Sequence, residues 1–447
     1  MKESNSENDE LILLHEPRIE KNGSKCNCFS IKVIILTCIL VSSLTFVGLF
    51  IGLRLNLFIS LGISFFIIIL ILLIFFKLFM RRLEKSGYSE NWHELYGERI
   101  VDIPYFRNEI IINSFKVNGD NFNEEIGEVY NGRDYRRNKR NYFDLYIPYL
   151  SLEKKNKYNG IMLFIHGGGW KFGSKENIEF FCSRYAKYGY ITATMNHSFL
   201  NSKYEGYSIF RIMDEITSCI QSIKDYLNDR GFDINKLELA ICGTSSGAHL
   251  GLLYGYSIKN CPIPLKFLIN IVGPLSLEPK YWYKIRNDEI LENIGPIDID
   301  EALKHKKIVE MFENESKFLN LMNDFIGGRF TSIELNEMIE NKKIKTDNER
   351  YKQMIKIAKY TFPINYINGN VVPTLCEYGG KDSMVGVAHY SYLKKLSEQY
   401  GNKVELVYMK YGGHTLDSYD TKDGMNAIRK MHYQILKFAK TYFTSDE

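Results

Sequence analysis

The sequence lacks most of the patterns that mark a metalloprotein, a disulfide-stabilised protein or a dinucleotide-binding protein. Its 8 cysteines show no regular spacing and several lie in apolar runs, which favours buried free thiols in a reducing compartment. Clusters of His, Cys and Asp with metal-ligand spacing are absent, and no glycine-rich dinucleotide fingerprint follows a predicted strand. We therefore expect neither a metal nor a cofactor.

A strong excess of one charge is also missing. Lys and Arg total 57 against 53 Asp and Glu, which gives a formal net charge of +4 over 447 residues. No basic stripe interleaved with aromatic residues occurs, so nucleic acid is not an expected partner. Hydrophobic residues make up 45% of the chain, enough for a large globular core, and no internal repeat is present. The composition leaves the oligomeric state open.

Two long segments near the N-terminus carry no charge. They are residues 33–53 and 55–76, separated by Arg54, and each is long enough to cross a hydrocarbon core of about 30 Å as a helix. Together they are too long for a cleaved signal peptide. Lysines and arginines flank their outer ends, whereas the turn has Arg54 alone, so the positive-inside rule places both termini in the cytosol. We predict an integral protein of an endomembrane, such as the endoplasmic reticulum, with its large domain facing the cytosol.

The chain beyond these segments is predicted to form one large α/β domain. The expected organisation is a polar cytosolic tail, a two-helix transmembrane hairpin, a linker and the large domain, at 1–30, 31–79, 80–100 and 101–447. Apolar strand patterns alternate with amphipathic helical patterns, which predicts a mostly parallel sheet covered by helices on both faces. The strand candidates are 142–147, 160–165, 190–195, 237–242, 265–271, 372–376 and 404–409, and the helical patterns lie near 176–188, 208–228, 246–258, 387–400 and 422–443.

Residues 274–360 interrupt this alternation. They are rich in charge and contain no convincing strand, but periodic stretches predict a helical insertion broken by loops. An insertion between two strands of such a sheet is the place for a cap or lid. The highly charged stretch 341–350 is typical of a disordered low-complexity expansion.

A strand-to-helix turn carries the first candidate for chemistry. The sequence Gly243-Thr-Ser245-Ser-Gly247 follows an apolar strand and precedes a helical pattern. Glycines two residues either side of a serine permit the cramped turn called a nucleophile elbow, which pushes the central hydroxyl outward. This spacing selects Ser245, rather than Ser246, as the nucleophile.

A glycine run supplies candidates for an oxyanion hole. His166-Gly167-Gly168-Gly169-Trp170 ends a predicted strand upstream of the elbow. Consecutive glycines let backbone amides point at a developing negative charge with no side chain in the way. We take the amides of Gly168 and Gly169 as donors, with the amide of Ser246 as the third. The Lys-Ser/Thr pair of a phosphate-binding loop does not follow, which disfavours that alternative.

A serine nucleophile needs an imidazole to accept its proton and a carboxylate to orient the imidazole. Asp382 and His414 each follow a glycine turn at the end of a late predicted strand. After a nucleophile elbow, the acid and then the histidine are expected in that order along the chain. They are our candidates, and Glu377 and Asp420 are rival acids. His249, one helical turn past Ser245, is a candidate for supporting the site, with a packing role as the alternative. The other histidines of the domain's helical stretches, His305, His389 and His432, are expected at surfaces or hydrogen-bonded in the core.

Together these motifs resemble the α/β-hydrolase superfamily, in its carboxylesterase and hormone-sensitive-lipase-like branch. The combination of His166-Gly-Gly-Gly-Trp170 with Gly243-x-Ser245-x-Gly247-Ala-His249 is similar to the group of isoprenylcysteine methylesterases and kynurenine formamidases. The resemblance covers 140–275 and 361–443, implies an eight-stranded sheet, and leaves the anchor and the insertion 274–360 unexplained. Tyr378 stands where a histidine often occurs in that group.

The resemblance implies a serine esterase. The predicted membrane anchor adds the expectation of an apolar or lipid-like ester substrate, such as a prenylcysteine methyl ester, because tethering raises the local concentration of such a substrate. Two alternatives stay open from the sequence. An amidase of the kynurenine formamidase type would use the same machinery with a different leaving group. A catalytically silent binding protein on a hydrolase scaffold is the other, although the full set of Ser245, Asp382 and His414 argues against it.

Overall fold

A computed structural model gives the fold, and the chain divides into two compact units. One comprises Met1–Ser86 with Ser418–Gln434, and the other comprises Gly87–Asp417 with Ile435–Glu447. All side-chain contacts given below lie within the second unit. The structure describes residues 59, 63–67, 69–70, 97–105, 141–148, 151, 158–200, 207–278, 283–285, 306–308, 315–386, 388–409, 412–416 and 422–443.

The predicted transmembrane hairpin is not tested by these residues. None of the helices within the described ranges is long and apolar enough to span a bilayer. The predicted spans 33–53 and 55–76 lie outside the described residues, apart from 59, 63–67 and 69–70. The two spans therefore stay a prediction.

The second unit is built on an eight-stranded, mostly parallel sheet. Strands run in the order β1-β2-β4-β3-β5-β6-β11-β12, with β1–β2 and β2–β4 antiparallel and the other pairs parallel. The predicted α/β sheet is confirmed, and its seven predicted strands are present. The eighth strand, β1, begins inside the stretch assigned to the linker. The bounds are β1 Gly97–Pro104, β2 Tyr142–Pro148, β3 Ile161–Ile165, β4 Ile191–Met195, β5 Leu239–Thr244, β6 Leu265–Ile271, β11 Thr374–Gly379 and β12 Val404–Met409.

Helices follow the strands as the alternating pattern predicts. A turn of 3-10 helix, Lys175–Ile178, precedes α1, and Ser208 caps α2 by accepting a hydrogen bond from the Arg211 amide at 3.3 Å. The bounds are α1 Glu179–Lys187, α2 Ile209–Asp229, α3 Ser246–Ser257, α7 Ala388–Tyr400 and α8 Lys422–Tyr442.

The central strands are buried on both faces because helices cover both. All residues of β3 are buried, and successive side chains of a strand point to opposite faces. Phe164 stacks on Phe181 and Tyr185 of α1, with ring centroids 5.6 Å away in each case. Its neighbours Leu163 and Ile165 belong instead to the core cluster that contains the apolar face of α2. A parallel sheet enclosed in this way explains why its strands read as continuous apolar runs.

The insertion contains short paired strands as well as helices. Its elements are β7 Tyr283–Ile285, β8 Lys306–Ile308, α4 Glu315–Phe325, α5 Ser332–Glu337, β9 Ile339–Glu340, β10 Lys343–Ile344 and α6 Glu349–Ala358. Two 3-10 turns, Lys359–Thr361 and Pro363–Tyr366, lead back towards β11. Strands β7 and β8 pair antiparallel, as do β9 and β10.

The prediction of disorder at 341–350 is wrong. Asn341 and Lys342 form the two-residue turn between β9 and β10, and both have positive φ, 50° and 61°. Positive φ at both positions is the conformation that lets a two-residue turn join twisted strands. Asn348 then caps α6 by accepting hydrogen bonds from two amides, at 2.9 and 3.2 Å. The polar residues of this stretch thus form a defined turn and a helix cap.

Candidate active site

Ser245 lies between β5 and α3 in a backbone conformation that non-glycine residues rarely adopt. Its φ is 52° and its ψ is −121°. Its amide donates a hydrogen bond to the carbonyl oxygen of Ile271 at 2.8 Å, which ties the turn to the end of β6. The strained turn lifts the Ser245 side chain off the end of β5, and the residue is partly exposed.

The glycines on either side of Ser245 are required by close backbone contacts. A Cβ on Gly243 would lie 2.4 Å from the carbonyl carbon of Gly247, so β5 and the first turn of α3 touch directly. A Cβ on Gly247 would lie 2.2 Å from the carbonyl oxygen of Ile165 at the end of β3. The Gly-x-Ser-x-Gly spacing is therefore explained by the packing of α3 against two strands.

We expect Gly247→Ala to destabilise the fold by about 1–3 kcal/mol or more, because the added methyl meets backbone atoms that cannot rotate away. Gly251→Ala, in the same helix, is the matched control. The atom nearest to its Cβ would be the Ile241 side-chain Cγ2 at 3.1 Å, and alanine favours a helix by about 1 kcal/mol over glycine. Urea denaturation of the three proteins measures the difference, and equal midpoints for both variants would contradict the packing argument.

The structure brings Ser245, His414 and Asp382 into one hydrogen-bonded chain. His414 Nε2 lies 2.9 Å from Ser245 Oγ, and His414 Nδ1 lies 2.8 Å from Asp382 Oδ2. The other carboxylate oxygen of Asp382 accepts hydrogen bonds from the amides of Met384 and Val385, at 2.7 and 2.9 Å. With Asp382 ionised, Nδ1 carries the proton and donates to it, which leaves Nε2 free to accept from the serine hydroxyl.

The turns that carry Asp382 and His414 hold each other in place. They follow β11 and β12, which are parallel neighbours, so both turns emerge at the same edge of the sheet. The Lys381 amide donates to the carbonyl oxygen of Gly412 at 2.9 Å, and a Cβ on Gly379 would lie 2.4 Å from that oxygen. Glycine is thus required where the two turns cross, and this crossing sets the distance between acid and base.

The glycine run after β3 lies against the elbow. A Cβ on Gly167 would be 3.1 Å from the Cβ of Ser245. Gly168, Gly169 and Trp170 all have positive φ, at 128°, 58° and 62°, so the chain curls back on itself. This turn, residues 166–173, is called the oxyanion loop below, and the Gly168 carbonyl oxygen accepts from the Phe172 amide at 3.0 Å within it.

The three predicted oxyanion donors are backbone amides without another acceptor in the described part of the chain. The amides of Gly168, Gly169 and Ser246 make no backbone hydrogen bond there. Ser246 is the first residue of α3, where amides lack an intrahelical acceptor and the helix dipole favours negative charge. A Cβ on Gly169 would meet nothing within 4 Å, which leaves open space over that residue.

His166 and His249 are buried side chains that support the oxyanion loop. His166 is fully buried, stacks on His197 with ring centroids 4.5 Å apart, and its Nδ1 lies 2.7 Å from the Gly167 carbonyl oxygen. His249 is 1% exposed and accepts a hydrogen bond at Nδ1 from Trp170 Nε1, at 3.1 Å. Burial lowers the pKa of His249 to about 3, so this ring is neutral.

The competing candidates lie elsewhere. The Ser246 hydroxyl oxygen is buried and has no hydrogen-bond partner among the residues that the structure describes. Glu377 is fully buried within β11, and His389 accepts a hydrogen bond from the Leu275 amide at 3.2 Å. Asp420 and His305 fall outside the described residues.

Neither a metal cluster nor a disulfide is found where the structure describes the chain. No group of three or more His, Cys, Asp or Glu side chains there could hold a metal ion. The five described cysteines are free thiols, and burial raises the pKa of each of them. Such thiols are poor nucleophiles, which leaves the serine as the candidate nucleophile of this site.

Sequence reasoning missed several residues that support the site. Tyr378, in β11, donates a hydrogen bond to the Gly273 carbonyl oxygen at 2.6 Å and accepts one from Asn270 Nδ2 at 2.9 Å. This network joins the ends of β6 and β11 beside the elbow. Lys171 of the oxyanion loop forms an ion pair with Asp324 of α4. Nothing in the spacing of these residues indicates such contacts, which span about a hundred positions or more.

One family model covers more than half of the chain. The model of the BD-FAE family matches residues 143–396. No curated protein matches the chain. Solved structures similar to it include a truncated carbohydrate esterase from gut microbiota, with 15% identity, a TM-score of 0.46, and coverage of 78% of this chain and 99% of that one. Esterase B from Lactobacillus Rhamnosis has 12% identity, a TM-score of 0.47 and coverage of 82% and 95%. Esterase 2 of Thermogutta terrifontis phosphoramylated by tabun has 15% identity, a TM-score of 0.44 and coverage of 70% and 96%.

Proposed function

The chain belongs to the BD-FAE family, which has the α/β-hydrolase fold, and from this premise we propose that it is a serine carboxylic-ester hydrolase. The observation that carries the proposal is the hydrogen-bonded chain from Ser245 Oγ through His414 to Asp382, with distances of 2.9 and 2.8 Å. Nucleophile, base and orienting acid at such distances are the arrangement that acyl transfer requires.

The reaction uses each group in a defined step. His414 Nε2 accepts the proton of Ser245 as Oγ attacks the ester carbonyl carbon, and Asp382 stabilises the imidazolium. The amides of Gly168, Gly169 and Ser246 donate to the oxygen that becomes negative. His414 then gives its proton to the leaving alcohol, which leaves an acyl group on Ser245. Water, deprotonated by His414, attacks the acyl carbon. The bond from that carbon to Ser245 Oγ then breaks, His414 returns its proton to Oγ, and the acid is released.

Turnover of esters by the purified full-length protein tests this function. We expect hydrolysis of 4-nitrophenyl esters and much slower hydrolysis of N-formylkynurenine, because an ester has the better leaving group. A preference for the formamide would instead favour an amidase of the formamidase type. No turnover of either substrate would favour a catalytically silent binding protein.

We further propose that the enzyme is anchored by residues 33–53 and 55–76 and acts on apolar esters such as a prenylcysteine methyl ester. The support is the absence of charge in both segments and the high local concentration of lipid-like substrate that tethering provides. By the charge distribution, the catalytic domain faces the cytosol.

Resistance to extraction tests the anchor. We expect the full-length protein to stay in the membrane fraction in alkaline carbonate. A variant with Leu44→Arg and Phe66→Arg should be extracted in larger part, because a charge at the centre of a span costs about 2.5–3.5 kcal/mol. Complete release of the wild-type protein by carbonate would exclude the anchor.

A further inference from the structure

Trp170 is the point at which three parts of the chain meet the oxyanion loop. It is 4% exposed, its indole Nε1–H donates to His249 of α3, and its carbonyl oxygen accepts from the Leu200 amide at 2.9 Å. Its ring packs edge-on against Phe325 of α4 in the insertion, with centroids 4.9 Å apart. The φ of Trp170 is 62°, a conformation that non-glycine residues rarely adopt and that persists where surrounding contacts impose it.

His249 connects this tryptophan to the end of the insertion. Its Nε2 lies 3.0 Å from the carbonyl oxygen of Thr361. Because Nδ1 accepts from the Trp170 indole, Nε2 carries the single proton and donates to Thr361. His249 also lies one turn after the nucleophile, and its amide donates to the Ser245 carbonyl oxygen at 3.1 Å. One neutral imidazole therefore links the nucleophile helix, the oxyanion loop and the insertion.

The insertion touches this region at two further points. Asp324 of α4 forms an ion pair with Lys171, the residue after Trp170. Phe325 packs on the ring of His249, with centroids 5.6 Å apart. The Thr361 hydroxyl donates to the Ala358 carbonyl oxygen at the end of α6, which fixes the turn that presents the Thr361 carbonyl. These contacts hold the end of α4 and the turn after α6 against the oxyanion loop and His249.

We infer that His249 is a positioning residue that holds the oxyanion loop through Trp170 and joins it to the insertion; the inference rests on the proposed esterase function. His249 does not touch the substrate. It fixes the side chain of the residue that follows Gly169 and so fixes the direction of the Gly168 and Gly169 amides. Through these contacts the insertion supports the oxyanion hole.

The test is the steady-state kinetics of a 4-nitrophenyl ester with three variants of the full-length protein. His249→Phe keeps a ring but loses both hydrogen bonds, and we expect kcat to fall by about tenfold to a hundredfold with KM within about threefold of wild type. His249→Gln, whose amide can accept from Trp170 and donate to Thr361, should recover most of the loss. Trp170→Phe removes the indole donor and should lower kcat in the same way.

A double variant separates this mechanism from general loosening. His249→Phe with Trp170→Phe should lose less than the product of the two single losses, because each removes the same hydrogen bond. Thr217→Val is the control, since this residue of α2 is also buried and its hydroxyl bonds the Met213 carbonyl oxygen and the Tyr254 hydroxyl instead of the loop. It should lower the thermal midpoint but leave kcat unchanged.

The outcomes separate the two claims. Wild-type turnover with an unchanged kcat in His249→Phe overturns the inference but not the proposed esterase function. An equal loss of kcat in Thr217→Val has the same meaning. No turnover by the wild-type protein overturns the proposed function and this inference with it. If His249→Phe does not fold, the kcat values of His249→Gln and Trp170→Phe test the inference instead. A wild-type kcat in Trp170→Phe then overturns it.

Discussion

Ser245→Ala is expected to lower kcat for a 4-nitrophenyl ester by roughly 10⁴-fold to 10⁶-fold. The reason is that no other described hydroxyl is placed to replace it: His414 Nε2 lies 2.9 Å from Ser245 Oγ, whereas the adjacent Ser246 hydroxyl is buried. The oxyanion amides are backbone groups and remain in the variant. A small residual rate over water is therefore expected rather than none.

Ser246→Ala is the matched control for this experiment. It removes a hydroxyl one position along the chain and keeps the amide that is proposed to donate to the oxyanion. We expect a rate within a few-fold of wild type, and circular dichroism checks that both variants are folded. A large loss of rate in Ser246→Ala with a retained rate in Ser245→Ala would show that Ser246, and not Ser245, is the nucleophile.

Asp382→Asn is expected to lower kcat by about 10⁴-fold while leaving the fold intact. The asparagine oxygen can still accept from the amides of Met384 and Val385, which bond Asp382 Oδ1 at 2.7 and 2.9 Å. Its NH₂ group then faces His414 Nδ1 and donates to it. The proton of the imidazole moves to Nε2, which can no longer accept from Ser245.

Two comparisons make the Asp382→Asn result specific. Asp420→Asn removes the rival acid and should keep the wild-type rate, because Asp382 Oδ2 already lies 2.8 Å from His414 Nδ1. Thermal unfolding of Asp382→Asn should change little, since the amide-bonded geometry is kept. A full rate in Asp382→Asn, or a 10⁴-fold loss in Asp420→Asn, would refute the assignment of the acid.

The sequence predicted those parts of the site that local backbone geometry imposes. Glycines are needed where β3, β5 and α3 meet, so the spacing around Ser245 can be recognised from the sequence alone. The parallel strands could also be predicted, because strands that are buried on both faces appear in the sequence as continuous apolar runs. Asp382 and His414 could be selected because each follows a glycine turn after a late strand, and those turns cross in the structure.

Two of the elements that the sequence did not predict were missed because their residues carry charge. Strand β1, Gly97–Pro104, is an edge strand whose residues are half-buried or exposed, so it shows no apolar run. The hairpin of β9 and β10 lies in a charged stretch, and Arg350 near it pairs with Glu334 and Glu337 of α5 at 3.2 and 3.0 Å. When only composition is considered, a segment whose charged residues form ion pairs cannot be distinguished from a disordered charged segment.

The support of the oxyanion loop could not be predicted for a different reason. Trp170 and His249 are 79 positions apart, and His249 and Thr361 are 112 apart. Such contacts depend on where the insertion folds back, which no local pattern records. The sequence indicated His249 because it lies one turn after Ser245, but the partners that give it a role come from the fold.

Labelling with a fluorophosphonate, followed by mapping of the modified peptide by mass spectrometry, tests the central claim most directly. The detergent-solubilised wild-type protein should carry one adduct, on Ser245. Ser246→Ala should label as wild type does, and Ser245→Ala should not label. An adduct on Ser246, or an unlabelled wild-type protein, would contradict the account of Ser245 as an activated nucleophile.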